Sequence, residues 1–294
     1  MGPATLRRVF QIRREAQALL QRMETETAAQ VAALIQGVLD RLMVEIETAP
    51  NVDALLRAVS QLLDYGARGG ADLMAALATN TFDVSLVTAL TTHGEMFGQS
   101  QRTLANLART FDATYRRDLI TAGHANWYRR LADSPLKPAS ALRDALIDVR
   151  VNGGSLRTAV RQMIAADPAL DRLPLSQQAI STLARARAVI RTETTRLDNA
   201  VSVGFAEAAG VELFANLGVG DDRQSDVCHI ACASKPRTIE GWRHFYFRGV
   251  YIGPPPRHVA NCRDSLQGVP SRGYDPSDAL LIQAGVLSEE EAAR

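Results

Sequence analysis

The sequence predicts a mainly α-helical protein, with a long helical N-terminal body and a small C-terminal α+β domain rich in irregular loops. Three observations predict it. Apolar residues recur at steps of three and four along most of the chain up to Ala209. Pro and Gly fall mostly between these periodic runs, where they punctuate helices. After Gly210 the pattern changes to one short alternating run set among Gly, Pro, Asp and aromatic residues.

The first run extends from Leu6 to Ile46 and carries Ala16, Leu20, Met23, Val31, Leu34, Val38 and Leu42. At about 1.5 Å per residue it predicts a rod of around 60 Å, longer than a compact domain needs. A continuous apolar stripe on a projecting helix needs a cover, so Leu34 and Val38, at its middle, are the expected partner-binding anchors. Asn51 or Asp53 caps the next helix, which buries Leu55, Leu56, Val59, Leu62 and Leu63 and is expected to end at Gly66, Gly69 and Gly70. A softer helical stretch covers 71–90. A stronger one runs from Gln99 to Leu131, with Leu104, Leu107, Phe111, Tyr115, Leu119 and Trp127.

Ser134-Pro135 and Lys137-Pro138 then break the chain. Shorter helices are expected over Ser140–Val151 and Ser155–Ala166, and a long one over Gln177–Ala209 that stops at Gly210. Val211–Leu217 alternates as a strand does, and Asp275-Pro276 opens a last short helix through Leu281. The domain reading is an extended helical region over 1–150, a motif-bearing domain over 151–270 and a short helical tail over 271–294.

Composition narrows the function classes. The chain has 294 residues, a formal net charge of +1, 46% hydrophobic and 22% charged residues, which is globular and too apolar for a disordered chain. A near-neutral balance gives no global pull toward nucleic acid or an acidic membrane. Of 33 basic residues only Lys137 and Lys235 are lysine, a bias best explained by genome composition. The first residues lack the unbroken apolar stretch of a secretion signal, and no window approaches the roughly 20 apolar residues of a membrane span. Synthesis in a cytoplasm is expected.

The three cysteines all fall between 228 and 262. Cys228-x3-Cys232 followed by His258-x3-Cys262 offers two close pairs of donors, the way small tetrahedral zinc sites are commonly built. The chain between the pairs is poor in core aliphatics, so a metal would stabilise it where packing does not. Asp226 and His229 are spare donors nearby. The competing reading is buried thiols and a surface histidine, and the x3 spacing is not that of thioredoxin-like redox pairs.

Arg191-Thr192-Glu193-Thr194-Thr195-Arg196 lies inside the long helix, with Glu193 and Arg196 as i, i+3 neighbours. By itself this marks a charged helix face. As a network it would tie the helix to the small domain, with Glu193 accepting bonds and Arg191 and Arg196 reaching carbonyls or Asp221 and Asp222. The five histidines form no triad pattern, and there is no Gly-rich phosphate loop, HExxH or GxSxG. The sequence supports catalysis weakly.

Taken in order, these features resemble a family. Arg191 to Thr194 is followed by Asn199, then Phe205-Ala206-Glu207-Ala208-Ala209-Gly210-Val211, Asp221-Asp222-Arg223, the Cys228 and Cys232 pair, Gly253-Pro254-Pro255-Pro256, His258 and Asn261-Cys262-Arg263. This order resembles the phage head morphogenesis domain of Mu F-like and SPP1-type minor head proteins, over roughly residues 155–268. The family's closing His-Pro-Asn-Cys-Arg is here His258-Val259-Ala260-Asn261-Cys262-Arg263, one residue longer and without the proline. The resemblance implies a minor capsid protein of a tailed bacteriophage, inside the head near the portal vertex, acting in head assembly, DNA packaging or DNA ejection and not as an enzyme. Portal protein, other head proteins or further copies of the chain are the implied partners, with packaged DNA a further candidate contact. The rival from another class is a zinc-dependent nucleic-acid-processing enzyme with Glu193 or His229 as general base beside the Cys/His site.

Overall fold

The computed structural model describes residues 3–153, 155, 157–159, 161, 175–217, 226–248, 250–251, 265–271 and 274. The architecture is mainly helical. Four long helices and one of middle length lead: α1 (Pro3–Thr48), α2 (Val52–Phe97), α3 (Gln101–Asp133), α4 (Lys137–Asn152) and α5 (Leu175–Ala208). Then come β1 (Phe214–Leu217), α6 (Asp226–Cys232), α7 (Ile239–Arg243), β2 (Tyr246–Phe247), β3 (Val250–Tyr251) and β4 (Ser265–Gly268). The helix expected over Ser155–Ala166 lies mostly, and that over 275–281 wholly, outside the described residues.

Local chemistry accounts for the helix ends. Asn51 caps α2, its Oδ1 accepting from Ala54 N at 2.9 Å, and Ser100 caps α3 by accepting from Thr103 N at 3.2 Å. Pro138 sits in the first turn of α4, where its missing N–H costs nothing. α5 ends on Gly210 at φ +79, with Val211 N donating to Ala206 O and Gly210 N to Glu207 O, both at 2.9 Å. This is a Schellman ending, which satisfies two terminal carbonyls and requires the left-handed backbone that glycine adopts without strain.

The chain forms two compact units, and neither follows the sequential division at 150 and 270. One draws on Met1–Arg22, Ala78–Ile120 and Arg191–Arg294, the other on Met23–Leu77 and Thr121–Ile190. α1, α2, α3 and α5 therefore each contribute one part to each unit.

In the second unit the glycines expected to terminate a helix lie inside α2, which runs through them. A methyl group at Gly66 would stand 3.0 Å from Val38 Cγ2 and 3.2 Å from Leu136 Cδ1; at Gly69 it would stand 2.9 Å from Leu34 Cδ2, and at Gly70 2.7 Å from Leu131 Cδ1. Their role is close approach, not termination. This corrects the assignment of Leu34 and Val38 as partner anchors. Val38 is buried and Leu34 half-buried, both against the glycine face of α2, so the middle of the α1 stripe is covered by the chain's own core. Val31, Ile35 and Leu42 of α1 and Leu55, Val59 and Leu63 of α2 are buried with them. α2 is long and apolar enough to cross a membrane by length and composition. Leu55, Val59, Leu63, Met74, Leu77, Phe82 and Met96 of this helix are buried in the chain's own core.

In the first unit, β1 pairs antiparallel with β4 in the register Phe214↔Gly268, Ala215↔Gln267, Asn216↔Leu266 and Leu217↔Ser265. The strand is shorter than the Val211–Leu217 alternation predicts, because Val211 belongs to the helix ending and Leu213 only accepts one bond, from Val269 N at 2.8 Å. All four residues of β1 are buried. Ala215 and Leu217 join Leu6, Val9, Phe10, Met96 and Val269 on one side, while Phe214 joins Ala206, Val211, Ala231, Trp242, Phe245 and Leu266 on the other. Trp242 also donates Nε1–H to Phe214 O at 2.8 Å, satisfying its one polar group in the core.

The glycine argument has a direct check by urea denaturation. Gly70→Val should destabilise the chain by about 1–3 kcal/mol, since Leu131 is fully buried and has little room to move. Gly37→Ala meets nothing within 4 Å and should stabilise it by about 0.5–1 kcal/mol through helix propensity alone.

Candidate functional site

The densest polar cluster among the described residues lies in the interior of the first unit. Arg13, on the buried face of α1, is only 6% exposed. Its Nε and Nη2 donate to Gln267 Oε1 at 3.1 and 2.6 Å, Nη2 also to Ser202 Oγ at 3.1 Å, and Nη1 to Asp198 Oδ2 at 3.4 Å. Ser85 Oγ of α2 donates to the other Asp198 oxygen at 2.7 Å, and Thr92 Oγ1 lies 3.3 Å from Gln267 Oε1. One guanidinium thus joins α1 to α5 and β4, and two hydroxyls bring in α2. Burial pushes the Arg13 guanidinium pKa below its ordinary value, and the Asp198 carboxylate opposes that shift.

The Arg-Thr-Glu-Thr segment stands one to two turns away on α5. Thr192, Glu193, Thr194 and Thr195 are all buried, so this is not a solvated face. Glu193 Oε2 lies 3.7 Å from Arg196 Nη1, an i, i+3 pair whose arginine is 47% exposed, and Arg191 is half-buried. Asp221 and Asp222, the expected acidic partners of the arginines, lie outside the described residues. The connection from α5 to the sheet that the structure does place is through Asn199: its Oδ1 accepts from Leu266 N at 2.8 Å while its Nδ2 donates to Thr195 O at 2.9 Å. A methyl at Gly268 would stand 2.8 Å from Ala206 Cβ, so β4 presses directly on α5.

Cys228 and Cys232 sit one turn apart on α6, both buried. Asn216 Nδ2 donates to Cys232 Sγ at 3.0 Å, fixing that sulfur beneath β1. A spacing of four on a helix puts both thiols on one face, which fits two corners of a tetrahedral site. His258 and Cys262, the other two expected ligands, lie outside the described residues, as do the side chains of Asp226 and His229.

The sequence reading passed over Arg13, Ser85, His93, Asp198, Ser202 and Gln267. A signal existed for Arg13, which continues the spacing of Leu6, Val9 and Phe10 onto the buried face of α1. His93 of α2 is buried, stacked on Phe97 at 4.4 Å between ring centroids and edge-on to Phe205 at 5.9 Å. Neither ring nitrogen has a hydrogen-bond partner among the described residues. Burial therefore pushes its pKa below 6.5, and the nearby Gln99 amide offsets this only in part.

Two outcomes follow for stability. Arg13→Met strands the Asp198 carboxylate in the interior and should cost about 3–5 kcal/mol, with Asp198→Asn adding much less on that background, a coupling that a double-mutant cycle reads. His93 binds its proton less readily folded than unfolded, so its contribution is complete above about pH 6.5 and declines as pH falls through the depressed folded value. The melting temperature should fall as pH drops below about 6.5, and His93→Phe should flatten that part of the profile.

No family model, curated protein or solved structure gives a significant match to this chain.

Proposed function

We propose that the chain is a minor head protein of a tailed bacteriophage, a structural, portal-associated component of the virion interior acting in head assembly, DNA packaging or DNA ejection. The observation that carries this reading is the burial of the described α5 part of the motifs on which the family resemblance rests. Thr192 to Thr195, Asp198 and Asn199 are buried on α5, Ala206 and Val211 pack with Phe214 and Leu266, and Asn199 bridges to the β4 backbone. Residues used this way hold a helix to a sheet. They are scaffold, and Glu193, the candidate general base of the enzymatic alternative, is buried among them.

A structural zinc belongs to the same proposal. Cys228 and Cys232 would supply two thiolates from α6, with His258 and Cys262 as the remaining ligands, and the ion would crosslink the two segments that carry them. The portal protein is the proposed partner, but its contact is not assigned to Leu34 and Val38, which the chain itself covers.

Mass spectrometry tests the proposal at two levels. Purified particles of the parent phage should contain the chain in few copies, and the purified chain should carry one zinc that Cys228→Ser removes. Full, infectious particles lacking the chain would overturn the head-protein reading. A metal-free native mass would overturn the zinc.

A further inference from the structure

β1 carries one polar residue in an otherwise apolar strand. Phe214, Ala215 and Leu217 feed the apolar clusters on its two sides, whereas Asn216 is only 1% exposed and of a type that strands disfavour. A buried carboxamide is costly unless it is paired. Alternation puts its side chain on the same face as Phe214, which packs with Ala231 of α6. There Asn216 Nδ2 donates to Cys232 Sγ at 3.0 Å, between two buried residues.

The chemistry of the acceptor gives this contact its meaning. A neutral thiol accepts hydrogen bonds weakly, whereas an ionised acceptor makes bonds roughly twice as strong as neutral ones. A thiolate buried as deeply as Cys232 needs a cation beside it, and a zinc ion on the face of α6 that carries both thiols supplies one. Zinc ligands are commonly oriented, and their donor strength tuned, by a further ring of hydrogen bonds. Asn216 stands where such a partner belongs, touching the sulfur of an expected ligand from the adjoining strand. Its own position is fixed in turn. Asn216 pairs with Leu266 in the β1–β4 register, and the Leu266 amide is held by Asn199 of α5.

We propose that Asn216 is a positioning residue for a metal-bound Cys232: its amide N–H orients the thiolate toward the ion and draws charge from the sulfur. This role rests on the zinc reading, and the two fail separately. The test uses the full-length chain loaded with Co(II) in place of zinc, whose bonds to sulfur are read from the sulfur-to-metal charge-transfer absorption. Asn216→Leu keeps a similar volume and removes the donor. It should weaken metal affinity, measured against a competing chelator, by about 10–100-fold. It should also move the charge-transfer band to longer wavelength, because a sulfur without that bond gives up charge to the metal more readily. Asn199→Ala is the control. It removes a buried bond on the same rung of the strand pair without touching sulfur, so it should lower the melting temperature and leave the band in place. Should Asn216→Leu fail to fold, Asn216→Ala is read by the same two measurements. A wild-type chain that takes up neither zinc nor cobalt would overturn the zinc reading and this role with it. Unchanged affinity or an unmoved band in the metal-loaded Asn216 variant would overturn the role alone, as would an equal band shift in Asn199→Ala.

Discussion

The first unit depends on one buried ion pair, Arg13 with Asp198. It joins residues 185 positions apart, and its Gln267 arm reaches across 254. Two charges taken out of water lose several kcal/mol of solvation each, and the mutual attraction recovers this only when the remaining donors and acceptors are also satisfied. Here they are. The guanidinium donates to Gln267, Ser202 and Asp198, and the far oxygen of Asp198 accepts from Ser85. Such a cluster adds little stability beyond what apolar residues would give, but it penalises wrong arrangements heavily. A one-residue slip of β4 would turn Gln267 away from Arg13 and bring Leu266 or Gly268 to its place, neither of which can accept from the guanidinium through a side chain. The register of the β1–β4 pair and the rotation of α1 about its axis are thereby fixed together.

This constraint explains why four strand residues with no exposed face persist. β1 is sandwiched between two apolar clusters, and a two-stranded sheet buried on both sides has few cross-strand bonds to hold it. Its edges are secured from outside instead. Phe214 exchanges backbone bonds with Arg237 at 2.8 and 3.0 Å, Trp242 donates to the same carbonyl, and Asn199 takes up the amide of Leu266. Each is a polar group satisfied inside an apolar environment, where leaving it unmade would cost about 1–3 kcal/mol.

Much of the helical architecture was legible because it depends on period alone. The stripe from Leu6 to Ile46, the Asn51 cap and the stop at Gly210 are local signals, and α1, α2 and α5 obey them. Gly66, Gly69 and Gly70 were misread because a glycine that ends a helix and one that admits a neighbour look alike in one dimension. The presence of Val38, Leu34 and Leu131 opposite them decides the matter, and that is tertiary information. The same limit hid the polar core. Ser85, Asp198 and Ser202 sit on helices where polar residues ordinarily mark the wet face, and only Arg13 falls on a recognisably apolar spacing. Of the candidate site, the burial of the Thr192–Thr195 face and the shared face of Cys228 and Cys232 were within reach of the sequence. The acidic partners Asp221 and Asp222 and the ligands His258 and Cys262 lie outside the described residues.

The exposed hairpin depends on the buried segment that precedes it. Arg248 at φ +49 and the partial exposure of Tyr246 and Phe247 are each unfavourable locally, by about 1 kcal/mol for the backbone and by unburied apolar area for the rings. A two-residue-per-strand hairpin does not offset such costs by itself, since isolated hairpins are marginal in water. The segment before it supplies the difference. Thr238 caps α7 by accepting from Gly241 N at 3.0 Å, Trp242 is fully buried, and Arg237 is held at once by the Phe214 backbone and the Phe245 ring. Stabilisation is thus concentrated in residues 237–245 and local cost in the hairpin that follows, an arrangement that keeps two rings and an arginine exposed on a rigid base.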